Sequence, residues 1–326
     1  MGALASACAP EEAGVTAQGP AREGQPSPVA SPAVEQDLPP TRGQNEIMVP
    51  TAVDKRRPIG EHVGDLPQGE GTIQIPTVGK LTFDAGEVRT VRPDLFQEGH
   101  FSLFDILVHL GQRGDIDLAY HFDESLDTHV VDALDGDGNW WYEAHYSNGW
   151  YEANVWRMDM YPYKNDSSIR LRVEKEDRLA KVHRSFQEEV ERLARNGGQV
   201  VIPDLEVRSP YGNWSFKDVV ATPHDVRSDV LQPGRVTALD ALISLHERGQ
   251  VDALELTWYE QIGHADPVDS YWVSRFNSAE AYGGCGFVYE TGPMEFSGFS
   301  GTHIHIPADV RALVSPEYAL WFWLCL

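Results

Sequence analysis

Two histidines stand two residues apart in "HIHIP", His303 and His305. In an extended strand such residues share a face and would offer two neutral imidazoles to one cation. Zinc or copper takes three or four ligands. Cys285 and His264 are the candidates to complete the set, although no spacing supports either. Locally hydrogen-bonded or solvent-facing histidines fit the same letters. "MDMYP" at 158–162 has the same place before a proline, which aligns Met158 and Met160 with His303 and His305. The densest run of rigid surface is "NWWYEAHYSNGWYE", carrying Trp140, Trp141, Tyr142, Tyr146, Trp150 and Tyr151. Alternate members of a strand face opposite sides, so the outward set would bind a sugar ring, a flat ligand or a partner protein. The same residues equally suit a sheet covered on both faces.

Other chemistry finds little support. "DGDGN" lacks the glycine and glutamate that a calcium loop needs at its sixth and twelfth positions, and reads instead as a hairpin turn. The chain contains no nucleophile elbow, phosphate-binding glycine loop, paired-cysteine haem motif or HExxH. These absences point away from an enzyme, and no cofactor is expected. The cysteines are Cys8, Cys285 and Cys325, so the last two are free to form one disulfide in an exported protein. Small residues leading to Cys8, followed by a Pro/Ala/Glu-rich stretch, match a bacterial lipid-attachment signal. Its apolar segment is too short for a signal peptide. The expectation is export, with Cys8 anchored at the outer face of a bacterial membrane. Gly2 with Ser6 offers the alternative of myristoylation, which would leave the chain cytoplasmic or membrane-attached.

The first aromatic residue is Phe83, and residues 1–70 are rich in Pro, Ala, Gly, Glu and Gln. Such a segment cannot bury enough apolar surface to offset chain entropy and reads as a disordered tether. It holds 10 acids and 5 bases, so most of the net charge of −24 belongs to the remaining residues. An acidic body repels phosphate backbones and anionic headgroups, which argues against nucleic acid and leaves a lipid anchor as the route to a membrane.

The elements that would position any site come from a repeat. Val91–Asp117 and Val226–Asp252 align without a gap and share 11 of 27 residues, among them Arg92/Arg227, Asp94/Asp229, Gln97/Gln232, Gly99/Gly234 and Asp105/Asp240. Repeats of this length are two copies of one domain. Each copy opens on strand-like alternation. Each then starts a helix with Ser102-x-x-Asp105 or Thr237-x-x-Asp240 and stops it at Gly114 or Gly249. "EKEDRLAKVHRSFQEEVERLARNGG" between the copies has an apolar stripe, Leu179, Val182, Phe186, Val190 and Leu193, and predicts a helix docked on one or both domains.

The order strand, strand, "SLFDILVHL", strand, "WWYEAHYSNG", "SSIRLRV" resembles the transcobalamin C-terminal-like domain, a β-grasp-type module. The residues carrying the likeness are Ser102, Asp105, Leu107, Trp140, Trp141, Tyr142, Asn148 and Gly149. Copy two keeps the helix, has only "YWV" at 271–273, and replaces Asn-Gly with "YGGCG". The resemblance implies an α+β fold: two tandem β-grasp-like domains, each a mixed sheet with one packed helix. The divisions are a tether at 1–70, a first domain at 71–174, a linker helix at 175–197 and a second domain at 198–326. It implies binding or assembly at the cell surface, with a protein, small-molecule or glycan ligand. It does not imply cobalamin, because the helical barrel forming most of that site is absent. The alternative is a metal-binding or electron-transfer accessory protein using His303 and His305.

Overall fold

The computed structural model describes residues 63–146, 151–152, 154–260, 268–298 and 306–325. The fold is α+β, mostly sheet. In the first half β1 (Glu70–Ile75) and β2 (Gly79–Asp84) form a hairpin, followed by α1 (Leu103–Arg113). A ribbon of β3 (Leu118–Asp123) and β4 (Thr128–Leu134) comes next, then β5 (Trp140–His145), β6 (Tyr151–Glu152) and β7 (Ser168–Val173). After α2 (Glu176–Arg195), the second half runs through hairpin β8 (Val200–Ser209) and β9 (Gly212–Ala221), then α3 (Ala238–Glu247). Its ribbon is β10 (Leu254–Tyr259), β11 (Ser270–Phe276) and β12 (Ala279–Glu280), and β13 (Cys285–Gly292) and β14 (Tyr318–Cys325) close the chain. The main sheets are ordered β2-β1-β7-β5-β6 and β13-β14-β8-β9. In both, the last strand of the half lies parallel to the first, and an antiparallel strand, β5 or β13, flanks it on its other side.

The repeated letters act as helix grammar. Ser102 Oγ accepts from the Asp105 amide at 3.2 Å, and the Asp105 carboxylate accepts from the Ser102 amide at 2.6 Å. Thr237 and Asp240 repeat this at 3.4 and 2.7 Å. Each box satisfies helix-end donors that would otherwise be orphaned. Gly114 (φ 81°) and Gly249 (φ 69°) take the left-handed conformation at the far ends. Asp135 and Gly136, both at positive φ, make the two-residue turn between Leu134 and Asp137.

A second device is duplicated too. Arg92 grips Asp94 with two bonds of 2.9 and 3.0 Å, reaches Asp159 at 3.0 Å, and lies over the Phe122 ring. Asp159 also accepts from Thr128 Oγ1 at 2.6 Å and from the His129 amide and Nδ1, each at 3.0 Å. Burial pushes the Asp159 carboxyl up, but His129, Arg92 and Thr128 outweigh it and hold the group below its usual range. In the second half Arg227 grips Asp229, reaches Asp309 at 3.3 Å and lies over Trp258, while Ser270 Oγ and the Tyr271 amide complete Asp309.

The two halves meet through the same stretch of each copy. Phe96 and Leu231 form an antiparallel bridge. The Gln97 amide donates to Val230 O at 2.9 Å and the Gln232 amide to Leu95 O at 2.8 Å. The glutamine side chains donate to Leu231 O and Phe96 O at 3.2 and 2.9 Å. One continuous apolar core runs through both halves. The α2 helix docks on both: Arg157 pairs with Glu189 and stacks on Phe186, Lys181 pairs with Glu295, and Arg192 donates to Ser315 O.

Removing Asp159 would strand Arg92, which is buried, without its inner counter-ion. Asp159→Ala is expected to lower the urea-unfolding free energy by about 3–5 kcal/mol, and Asp309→Ala by a similar amount.

Candidate functional site

The aromatic run belongs to the core. Trp140, Trp141, Tyr142 and Tyr146 are all buried. Trp141 Nε1 donates to Asn154 O at 2.6 Å and Tyr142 OH to Trp156 O at 2.8 Å, while Tyr146 OH meets Tyr161 OH at 2.5 Å. The expectation that alternate residues face outward is corrected because β5 is covered on both sides. Trp141 faces His183 and Phe186 of α2, and Tyr142 faces Tyr161. Tyr151 is exposed and stacks on His145 at 5.4 Å. Trp150 lies outside the described residues.

Of the metal set, only Cys285 lies among the described residues. Cys285 is disulfide-bonded to Cys325, opposite it in the β13–β14 pair, so its sulfur is not available as a thiolate ligand. His264, His303 and His305 lie outside the described residues, as do Gly2 and Cys8. The alignment of Met158 and Met160 with His303 and His305 is also corrected. Leu103 N donates to Tyr161 O and Tyr163 N to Phe101 O, and the matching bonds in the second half are Ala238 N to Arg311 O and Leu313 N to Val236 O. Asp159 therefore matches Asp309, and the two methionines match Ala308 and Val310. The second half carries 15 more residues before this point, which a gapless reading could not register. The shared signal was a single aspartate between two apolar residues.

Two concavities stand out among the described residues. One, of about 460 Å³, is apolar and lies between the β10–β11–β12 ribbon and the β13–β14 pair, lined by Trp272, Phe287 and Leu324. It gathers no set of charged groups. The other, of about 610 Å³, opens between the halves and sets charged and polar groups among prolines and valines. The first half gives it His100, Tyr163, Lys164 and Asn165; the second gives Arg227 and Asp269.

Residues 63–68, whose composition reads as the end of the tether, form one wall of this second cleft through Gly64, Asp65 and Pro67. The Gly64 amide donates to Asp229 Oδ2 at 2.9 Å and the Asp65 amide to Asp269 Oδ2 at 3.4 Å. The Gln68 amide donates to Asn165 Oδ1 at 3.0 Å, and Asn165 Nδ2 donates back to Leu66 O at 3.4 Å. Gly64 and Pro67 are buried, whereas Val63, Asp65, Leu66 and Gln68 are exposed. The cleft thus contacts main chain through side-chain carboxylates and an amide. Arg227, which also donates to Asp269 O at 2.6 Å, is fully engaged and acts as a fixed support. Sequence reasoning missed these residues because it treated Arg227 and Asp229 as repeat grammar and residues 63–68 as tether.

No protein-family model, curated protein or solved structure matches the chain.

Two histidines set opposite pH limits. Burial pushes His100 down to about 4, with Arg227 adding to the shift and Asp229 opposing it. Hydrogen bonds to Asp240 and then Glu247, at 3.0 and 2.9 Å, hold His224 up at about 9. A histidine disfavoured in its charged form costs stability as pH falls from about 6.5 towards 4. One favoured in its charged form contributes fully below about 6.5 and is lost as pH rises through 9. Urea midpoints measured across pH should fall on both sides, with His100→Gln flattening the acid arm and His224→Gln the alkaline arm.

Proposed function

We propose that the protein is a non-catalytic binding or assembly module of the cell surface, built from two tandem β-grasp-like domains. The observation that carries this reading is the cleft between the halves, where Asp229, Asp269 and Asn165 hold main-chain amides of residues 64, 65 and 68. The strand orders favour the β-grasp-like assignment: a hairpin, a helix, and a last strand inserted parallel beside the first. The division at 71–174, 175–197 and 198–326 belongs to the same proposal, as does the likeness to the transcobalamin C-terminal-like domain.

Export is supported by the Cys285–Cys325 disulfide, because such bonds persist in oxidising compartments. Attachment through Cys8 would then place the module at the outer face of a bacterial membrane. The acidic body suits a protein or small polar ligand rather than nucleic acid. The metal or electron-transfer alternative would have to rest on His303 and His305 with ligands other than Cys285.

Lys164 lines the cleft and carries a reactive amine. Amine-reactive cross-linking of intact native cells should join Lys164 to a second polypeptide, identified by mass spectrometry of linked peptides. Links confined to this chain's own residues would contradict a binding role for the cleft.

A further inference from the structure

We propose that the cleft between the halves is a receptor for an extended peptide of Gly-x-x-Pro spacing, occupied in cis by Gly64–Pro67. A partner segment with a neutral or basic residue in place of Asp65 displaces it. The inference rests on the binding reading above and names the class of partner: a polypeptide segment of another protein.

The internal repeat supplies the comparison. In the first half, Asp94 is capped from across the interface by Arg235, which donates to its Oδ2 at 3.1 Å, and its side chain remains 49% exposed. The residue matching Arg235 in the other copy is His100. There the partner to Asp229 Oδ2 is instead the Gly64 amide at 2.9 Å, and the Asp229 side chain is only 7% exposed. The second half has a main-chain site where the first has a guanidinium. The paired glycines differ in the same way. A Cβ on Gly99 would stand 3.0 Å from Leu66, whereas one on Gly234 would meet nothing within 4 Å.

Selection for spacing follows from the buried pair. A Cβ on Gly64 would lie 2.8 Å from Arg227 Nη2 and 3.1 Å from Asp269 Cβ, and Arg227 is fixed by its own bonds. Only glycine fits there, for reasons of space and not of backbone conformation. Pro67 is the second buried residue. Beside them Val63 and Leu66 leave most of their apolar surface in solvent, being 75% and 54% exposed. The cis segment is therefore held mainly by hydrogen bonds, each a modest net contribution.

One position is electrostatically mismatched. The Asp65 amide lies 3.4 Å from Asp269 Oδ2, which makes the two acids neighbours. Burial pushes the Asp269 carboxyl up, the Asp65 amide and Arg227 oppose it, and the Asp65 and Glu260 charges add to it. A lysine at that place converts repulsion into attraction.

The test uses the full chain carrying Gly64→Val, whose own segment no longer fits, and a fluorescent hexapeptide Val-Gly-Asp-Leu-Pro-Gln. By anisotropy the peptide should bind the variant and bind the unaltered chain at least about tenfold more weakly, since the cis segment competes. Replacing its aspartate with lysine should tighten binding about tenfold at low salt, and replacing its glycine with valine should abolish binding. No binding to a folded variant, or binding that ignores the glycine, would overturn the proposal. Where Gly64→Val does not fold, hydrogen exchange on the unaltered chain decides. Excess lysine peptide should speed exchange at the Gly64, Asp65 and Gln68 amides, and unchanged rates would overturn the proposal. Either failure leaves the cross-linking of Lys164 as a separate test of binding as such.

Discussion

The structure depends on a reciprocal exchange. Leu95-Phe96-Gln97 and Val230-Leu231-Gln232 face each other as an antiparallel pair, and each glutamine donates both its amide and its side chain to the other copy. The same patch binds itself, which is the rule for a two-fold dimer interface, here contained in one chain. Each such bond is modest in isolation. Their effect comes from the core beneath them, which is continuous through both halves, and from α2, which is pinned to each. A junction so bonded and packed sets the relative position of the two halves, and with it the walls of the cleft.

Immediately beside the exchanged segments stand the two arginine clamps. Each arginine receives a carboxylate two residues on and another from a later stretch of its own half, Asp159 or Asp309. The clamps tie first and later elements of each half together. They also hold charges that would be costly to bury alone. Around this matched frame the copies diverge. Arg235 closes one clamp, and the Gly64 amide closes the other. Elsewhere Arg311, at the position of Tyr161, lies over Trp156 at 3.4 Å, and burial lowers it to about 10. Its Nε and Nη1 find no partner among the described residues. Duplication supplied the frame, and departures from symmetry supplied its chemistry.

Much of the frame was legible in the letters. Ser102, Asp105, Thr237 and Asp240 announce their helices because capping is local, decided within four residues. The apolar stripe of α2 was legible for the same reason. The aromatic run misled because periodicity shows which residues alternate, not how many faces are covered, and α2 covers the second face of β5 from far along the chain. Asp159 and Asp309 escaped because their common role depends on three-dimensional closure across an insertion. The cleft was hidden most deeply. Its recognising groups, Asn165, Asp229 and Asp269, are separated by long stretches of chain, and what they hold is backbone, which carries no letter at all.

The most direct measurement is native-state hydrogen exchange at the Gln97 and Gln232 amides, whose bonds cross between the halves. If the exchange interface is the constraint on which the cleft depends, both amides open only with global unfolding. Their opening free energies then match those of Ile169 in β7 and Leu320 in β14. Opening of both at a much lower free energy, while Ile169 and Leu320 stay protected, would mean that the halves part without unfolding and would contradict a fixed cleft between them.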